Sequence, residues 1–127
     1  MSRAATTGFV DVGGAQLYYE SRGEGPTLLF VHGFTLDHRM WRRQAEALAG
    51  LRVVTCDLRG FGRSSPPGEA PFRHSDDLAA LAGALGLAPL VVVGHSIGAL
   101  YALELCLSRP ELVVGFVSLC MSGLGRP

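Results

Sequence analysis

The residues best suited to chemistry are Gly94-His95-Ser96-Ile97-Gly98. They follow an apolar run, Leu90 to Val93, and open an apolar helical stretch. That is the strand–turn–helix setting of a nucleophile elbow. A sharp turn there lifts the Ser96 hydroxyl clear of the sheet's carboxyl edge. The strained backbone and the close helix–strand approach require small residues, here Gly94 and Gly98. The dipole of the following helix favours an anion developing at its N-terminus. The chemistry predicted is acyl transfer through Ser96.

Acyl transfer needs two N–H donors aimed at the oxyanion. One is expected from Ile97, directly after the nucleophile. The other is expected from Phe34, in the loop His32-Gly33-Phe34 that follows the run Thr27 to Val31. A serine hydroxyl without a base is a weak nucleophile, so the four histidines come under scrutiny. His32 lies at the correct end of the sheet and is the best catalytic candidate within the chain, with a loop-pinning role as the competing reading. His95 adjoins Ser96, but an elbow points neighbouring side chains apart. His38 and His74 fall in or near loops and read as solvated surface residues. They reach Ser96 only by favourable looping or from a second subunit.

A third segment, Asp57-Leu58-Arg59-Gly60-Phe61-Gly62-Arg63-Ser64, has the glycines of a phosphate-cradling loop. It lacks the Lys-Ser/Thr of a P-loop, and no helix starts on it. It reads as a strand-end loop held by hydrogen bonds of Asp57, Arg59 and Ser64.

These segments need a scaffold. Phe9 to Val12 and Gln16 to Glu20 read as strands joined by a Gly13-Gly14 hairpin turn. Thr27 to Val31 is an apolar run, and with Arg52 to Cys56, Leu90 to Val93 and Val113 to Cys120 it reads as a strand buried on both faces. Between them lie helical patterns over His38 to Ala49, from an N-cap at Ser75 to Leu85 with Gly86 as the stop, and over Ile97 to Leu107. The alternation predicts an α/β domain over 1–127: a mostly parallel sheet of about six strands with helices on both faces.

Composition limits the alternatives. Eleven basic and eleven acidic residues balance to zero, which suggests neither nucleic acid nor an anionic membrane as partner. Lysine is absent, which removes Schiff-base and Ser–Lys chemistry. Asparagine is absent, which removes N-glycosylation. Cys56, Cys106 and Cys120 lack metal or disulfide spacing and read as buried free thiols. With no apolar leader in Met1 to Thr7 and no apolar stretch long enough to span a bilayer, a cytoplasmic location is expected. No metal or cofactor is implied.

The run His32-Gly33-Phe34 through Asp37-His38-Arg39-Met40-Trp41, then Asp57 to Ser65, then Gly94 to Gly98, resembles the α/β-hydrolase superfamily in the family's order. It looks most like the enol-lactonase, cofactor-free haloperoxidase and esterase branch. The resemblance implies Ser96 as nucleophile and Phe34 and Ile97 as oxyanion donors. A serine here speaks against haloalkane dehalogenase chemistry, which uses a carboxylate.

The family's triad runs Ser, then acid, then His. After Ser96 the only acids are Glu104 and Glu111, and no histidine follows. The sequence is therefore expected to hold the N-terminal portion of the fold, without the lid and last strands. Three readings remain. One is a serine hydrolase acting weakly on small carboxylic esters or lactones and dependent on oligomerisation. Another is a non-catalytic fragment, or half of a split hydrolase. The third is a small-molecule binding module that uses the same cleft. An apolar edge strand at 113–120 predicts a homodimer through that edge.

Overall fold

The structure, a computed structural model, describes residues 4–120. Six strands form one sheet in the order β1-β2-β4-β3-β5-β6. β1 (Thr6–Asp11) and β2 (Gln16–Arg22) pair antiparallel through the expected hairpin. Gly13 and Gly14 both hold φ +89°, and Val12 N–H closes the turn on Ala15 O at 2.8 Å. Only glycine takes two such angles in succession without strain. β2 also runs antiparallel to β4 (Arg52–Cys56). β3 (Thr27–Val31), β5 (Leu90–His95) and β6 (Val113–Leu119) continue the sheet in parallel.

Helices lie on both faces, and the period of two in the strands sorts the core between them. Leu29, Val31, Val54 and Val92 point to one face. They pack with Leu78, Leu81 and Ala82 of α2 (His74–Leu85) and with Ala102 and Leu105 of α3 (Ile97–Ser108). Phe30, Val53 and Val93 point to the other. They pack with Trp41 and Ala45, from a 3-10 turn (His38–Trp41) and α1 (Arg42–Ala47). The expected helix over His38 to Ala49 is thus two short pieces. Asp37 caps the first, accepting from Arg39 N–H.

The cap of α2 also differs from expectation. Arg73 is the N-cap, without a side-chain bond, and Ser75 is a buried residue of the first turn. Gly86 does stop the helix, at φ +62°. The parallel strands end together at their carboxyl edge, where the loops after β3, β4 and β5 converge. β6 closes the described sheet, and its Val114, Val117 and Leu119 are exposed. This edge position also alters the cysteine expectation. Cys56 is buried, with its thiol pushed up to about 12 by desolvation, but Cys106 is half-buried and Cys120 exposed.

Candidate active site

β5 delivers Ser96 to the carboxyl edge, and α3 starts on the next residue. Ser96 takes φ +56° and ψ −122°, a conformation that side chains rarely adopt. Two bonds hold it there. Its N–H donates to Leu119 O at 2.8 Å, and its carbonyl accepts from Ala99 N–H at 2.9 Å. The elbow glycines are sterically required. A Cβ on Gly94 would lie 2.5 Å from Ala99 Cα. One on Gly98 would run into His32 O and lie 2.5 Å from Val31 O. Ser96 itself is half-buried, and its hydroxyl makes no hydrogen bond to any described residue.

The same close approach brings the β3 loop to the elbow. Gly33 is buried against the neighbouring imidazole: a Cβ there would sit 2.6 Å from His95 Nδ1. Leu36 N–H then turns back on Gly33 O at 3.2 Å, and Thr35 takes φ +65°. Phe34 lies inside that turn, 70% exposed. Neither Phe34 N–H nor Ile97 N–H has a partner among the described residues. At Ile97 this follows from helix geometry, since the first amides of a helix have no internal acceptor. Ser96, Ile97 and the Gly33–Phe34 turn therefore share one end of the sheet.

The histidines divide differently from expectation. His32 is fully buried and works as a clamp between two loops. Its Nδ1 donates to Gly33 O at 2.8 Å, and its Nε2 accepts from Leu58 N–H at 2.9 Å. These partners fix the neutral tautomer, and burial lowers its pKa despite the opposing Gly33 carbonyl. Neither nitrogen is left to take a proton from Ser96. The expectation that His32 serves as base is therefore corrected to the competing reading, a structural pin.

His38 and His74 are not solvated surface residues either. His38 Nδ1 donates to the buried Asp57 carboxylate at 2.8 Å, and its Nε2 lies 3.3 Å from Glu20. His74 packs on Tyr101 at 4.4 Å between ring centres, and burial lowers its pKa. His95 turns its Nδ1 into the protein, where it has no hydrogen-bond partner among the described residues.

The Asp57 segment is a strand-end loop held by hydrogen bonds of Asp57, Arg59 and Ser64, as read from the sequence. Asp57 accepts from His38 N–H at 2.6 Å and Arg63 N–H at 2.8 Å, and Ser64 Oγ donates to Asp57 O at 2.5 Å. Arg59 forms a buried two-bond pair with Asp77 of α2, at 2.9 and 2.7 Å. Asp37, His38 and Asp57 bring three potential metal-ligand atoms within 4.8 Å of one another. Those atoms are already engaged. Arg39 occupies Asp37 and holds its carboxyl at about 2, while His38 and Asp57 bond each other. The cluster is closed by its own hydrogen bonds.

Comparison with known proteins agrees with this geometry. A family model described as the alpha/beta hydrolase fold matches residues 26–125. An epoxide hydrolase of Caballeronia sordidicola is 41% identical over 104 residues, 77% of this chain and 32% of its own. Lipase LipV of Mycobacterium tuberculosis is 40% identical over 99 residues, 75% of this chain and 37% of its own. The crystal structure of an epoxide hydrolase from Vigna radiata superposes with a TM-score of 0.87 at 35% identity, covering 97% of this chain and 42% of that one. The chain thus spans about a third to two fifths of the length of these relatives. With the elbow, the β3 turn and the strand order in place, the chain belongs to the alpha/beta hydrolase fold family.

Proposed function

We propose that Ser96 is the nucleophile of an acyl-transfer hydrolase acting on small carboxylic esters or lactones. The observation that carries this is the strained Ser96 at the head of α3, beside two N–H groups without described partners, Phe34 and Ile97. Ser96 Oγ attacks the acyl carbon, and the two N–H groups receive the oxyanion. The tetrahedral species collapses to an acyl-serine as the alcohol leaves with a proton. Water then cleaves the acyl-serine to the acid and free Ser96.

The nucleophile's type separates this reading from epoxide opening, the activity named for two of the relatives. A serine that opened an epoxide would be left as an ether, which water does not cleave under mild conditions. A carboxylate would give an ester, which it does. Ser96 therefore suits acyl substrates, whose serine adduct is itself a hydrolysable ester. With no imidazole bonded to Ser96 among the described residues, the rate expected is that of an oxyanion hole and binding alone, roughly 10³–10⁴-fold over water.

The test is p-nitrophenyl acetate turnover with trapping of the acetyl adduct. Wild type should release p-nitrophenolate and carry acetyl on Ser96, and Ser96→Ala should do neither. Equal rates for the two proteins would overturn the reading.

A second reading concerns the base. Among the described residues β6 presents an unpaired apolar edge, and Leu119 O is bonded to Ser96 N–H. A polypeptide added at that edge would border the nucleophile. An antiparallel homodimer through 113–120 shields the edge but turns the partner's carboxyl-end loops away from Ser96. A strand added in parallel brings its own carboxyl-end loop, and any histidine on it, to the Ser96 side. Light scattering establishes whether copies associate. Rate recovery on adding a histidine-bearing complementary segment establishes whether the edge completes the site.

A further inference from the structure

We propose that Phe61 is a positioning residue for the oxyanion donor Phe34, holding the β3 turn in its working conformation. The proposal rests on the acyl-transfer reading of Ser96. Two loops meet here, and they differ in how firmly they are held. The β3 turn has one internal backbone bond, Leu36 N–H to Gly33 O, and Phe34 at its tip is 70% exposed. The Asp57 loop is cross-braced. Phe61 N–H donates to Leu58 O at 2.9 Å, Ser64 N–H to Phe61 O at 3.1 Å, and Gly60 N–H to Ser65 O at 2.8 Å. Gly62 sits so close to the Asp57 carboxylate that no Cβ fits between them. Tyr18 N–H ties the far side of the loop to β2 through Ser64 Oγ at 2.9 Å.

From that braced loop the Phe61 ring makes two edge contacts with the β3 turn. Its centre lies 5.4 Å from His32, at 69°, and 5.8 Å from Phe34, at 77°. Both are the edge-to-face geometry that aromatic quadrupoles favour. His32 pins the base of the turn, and Phe61 alone spans from that base to the tip among the ring contacts of the described residues. An oxyanion donor stabilises charge only when it is held in place before the charge forms. The Asp57 loop thereby does more than close the end of β4: its ring reaches the residue whose N–H meets the oxyanion.

The experiment compares wild type, Phe61→Ala and Phe61→Tyr by p-nitrophenyl acetate kinetics, thermal melting and ¹⁵N relaxation at residues 33–36 and 97. In Phe61→Ala, kcat per folded molecule should fall about three- to tenfold with KM within about twofold, the range an aromatic pair supports. The Phe34 order parameter should fall from about 0.85 toward 0.6 while Ile97 stays rigid. Phe61→Tyr keeps the ring and should restore both. An unchanged Phe34 order parameter in Phe61→Ala overturns the proposal, as does a kcat loss fully explained by the unfolded fraction. If wild type shows no Ser96-dependent turnover but Phe34 still loosens in Phe61→Ala, the clamp stands and the acyl-transfer reading fails.

Discussion

Replacing His32 with alanine separates a clamp from a base. The wild-type imidazole takes Leu58 N–H on Nε2 in a fully buried site. Its loss leaves that N–H without an acceptor, at a cost of about 1–3 kcal/mol. Gly33 O keeps its bond from Leu36 N–H, so it adds little. A void of roughly 60 Å³, at about 24 cal/mol per Å³, adds about 1.5 kcal/mol. The sum, about 2.5–4.5 kcal/mol, is a large share of the stability of a small domain.

The pH dependence supplies an independent check. The His32 pKa is lowered in the folded state from its ordinary 6.5, chiefly by burial. Below that value the unfolded chain binds a proton that the folded chain refuses. The contribution is therefore fully present above pH 6.5 and is lost as pH falls from 6.5 toward the folded pKa, with a slope of up to about 1.4 kcal/mol per unit. Urea unfolding of wild type and His32→Ala at pH 8 and pH 5.5 reads both effects. The variant should be less stable at pH 8, and its stability should fall less steeply with acid. A His32→Ala protein within about 0.5 kcal/mol of wild type that has nonetheless lost Ser96 reactivity would refute the clamp and return His32 to the role of base.

Three further outcomes follow from the same packing. Gly98→Ala should cost about 3 kcal/mol or more, because its Cβ meets the backbone of β3, whereas Gly83→Ala meets nothing within 4 Å in α2 and should gain about 0.5–1 kcal/mol in urea melts. Arg59→Met leaves Asp77 charged and unpaired in a buried site, and calorimetry should read a loss of about 3–5 kcal/mol. Val117→Lys places a charge on the exposed apolar edge strand β6, and size-exclusion chromatography with light scattering should show weaker self-association than wild type.

The site was legible in sequence where its causes are local. Gly94 after an apolar run states its own geometry, because a Cβ there would meet Ala99, five residues on, whereas the contacts that exclude a Cβ at Gly98 come from Val31 and His32 at the end of β3. The Gly13-Gly14 turn and the Gly86 stop are local in the same sense. The histidines were not legible, because their partners are distant in the chain. His32 meets Leu58 only because β3 and β4 lie side by side, and His38 meets Asp57 for the same reason. No spacing rule within one segment reports such neighbours. Phe61 was passed over likewise: its residue type fits an ordinary loop, and its meaning comes from the turn it faces. Ser75 has the right chemistry for a cap, yet the cap falls two residues earlier, at Arg73, and the first turn buries Ser75.

The proposed chemistry stands on Ser96 as a poised nucleophile beside two backbone donors. Fluorophosphonate labelling read by intact mass and peptide mapping tests it most directly. Folded wild type should gain a single phosphonyl group on Ser96, and folded Ser96→Ala should gain none. A folded wild type that takes no label, or a label that persists in Ser96→Ala, would contradict the claim.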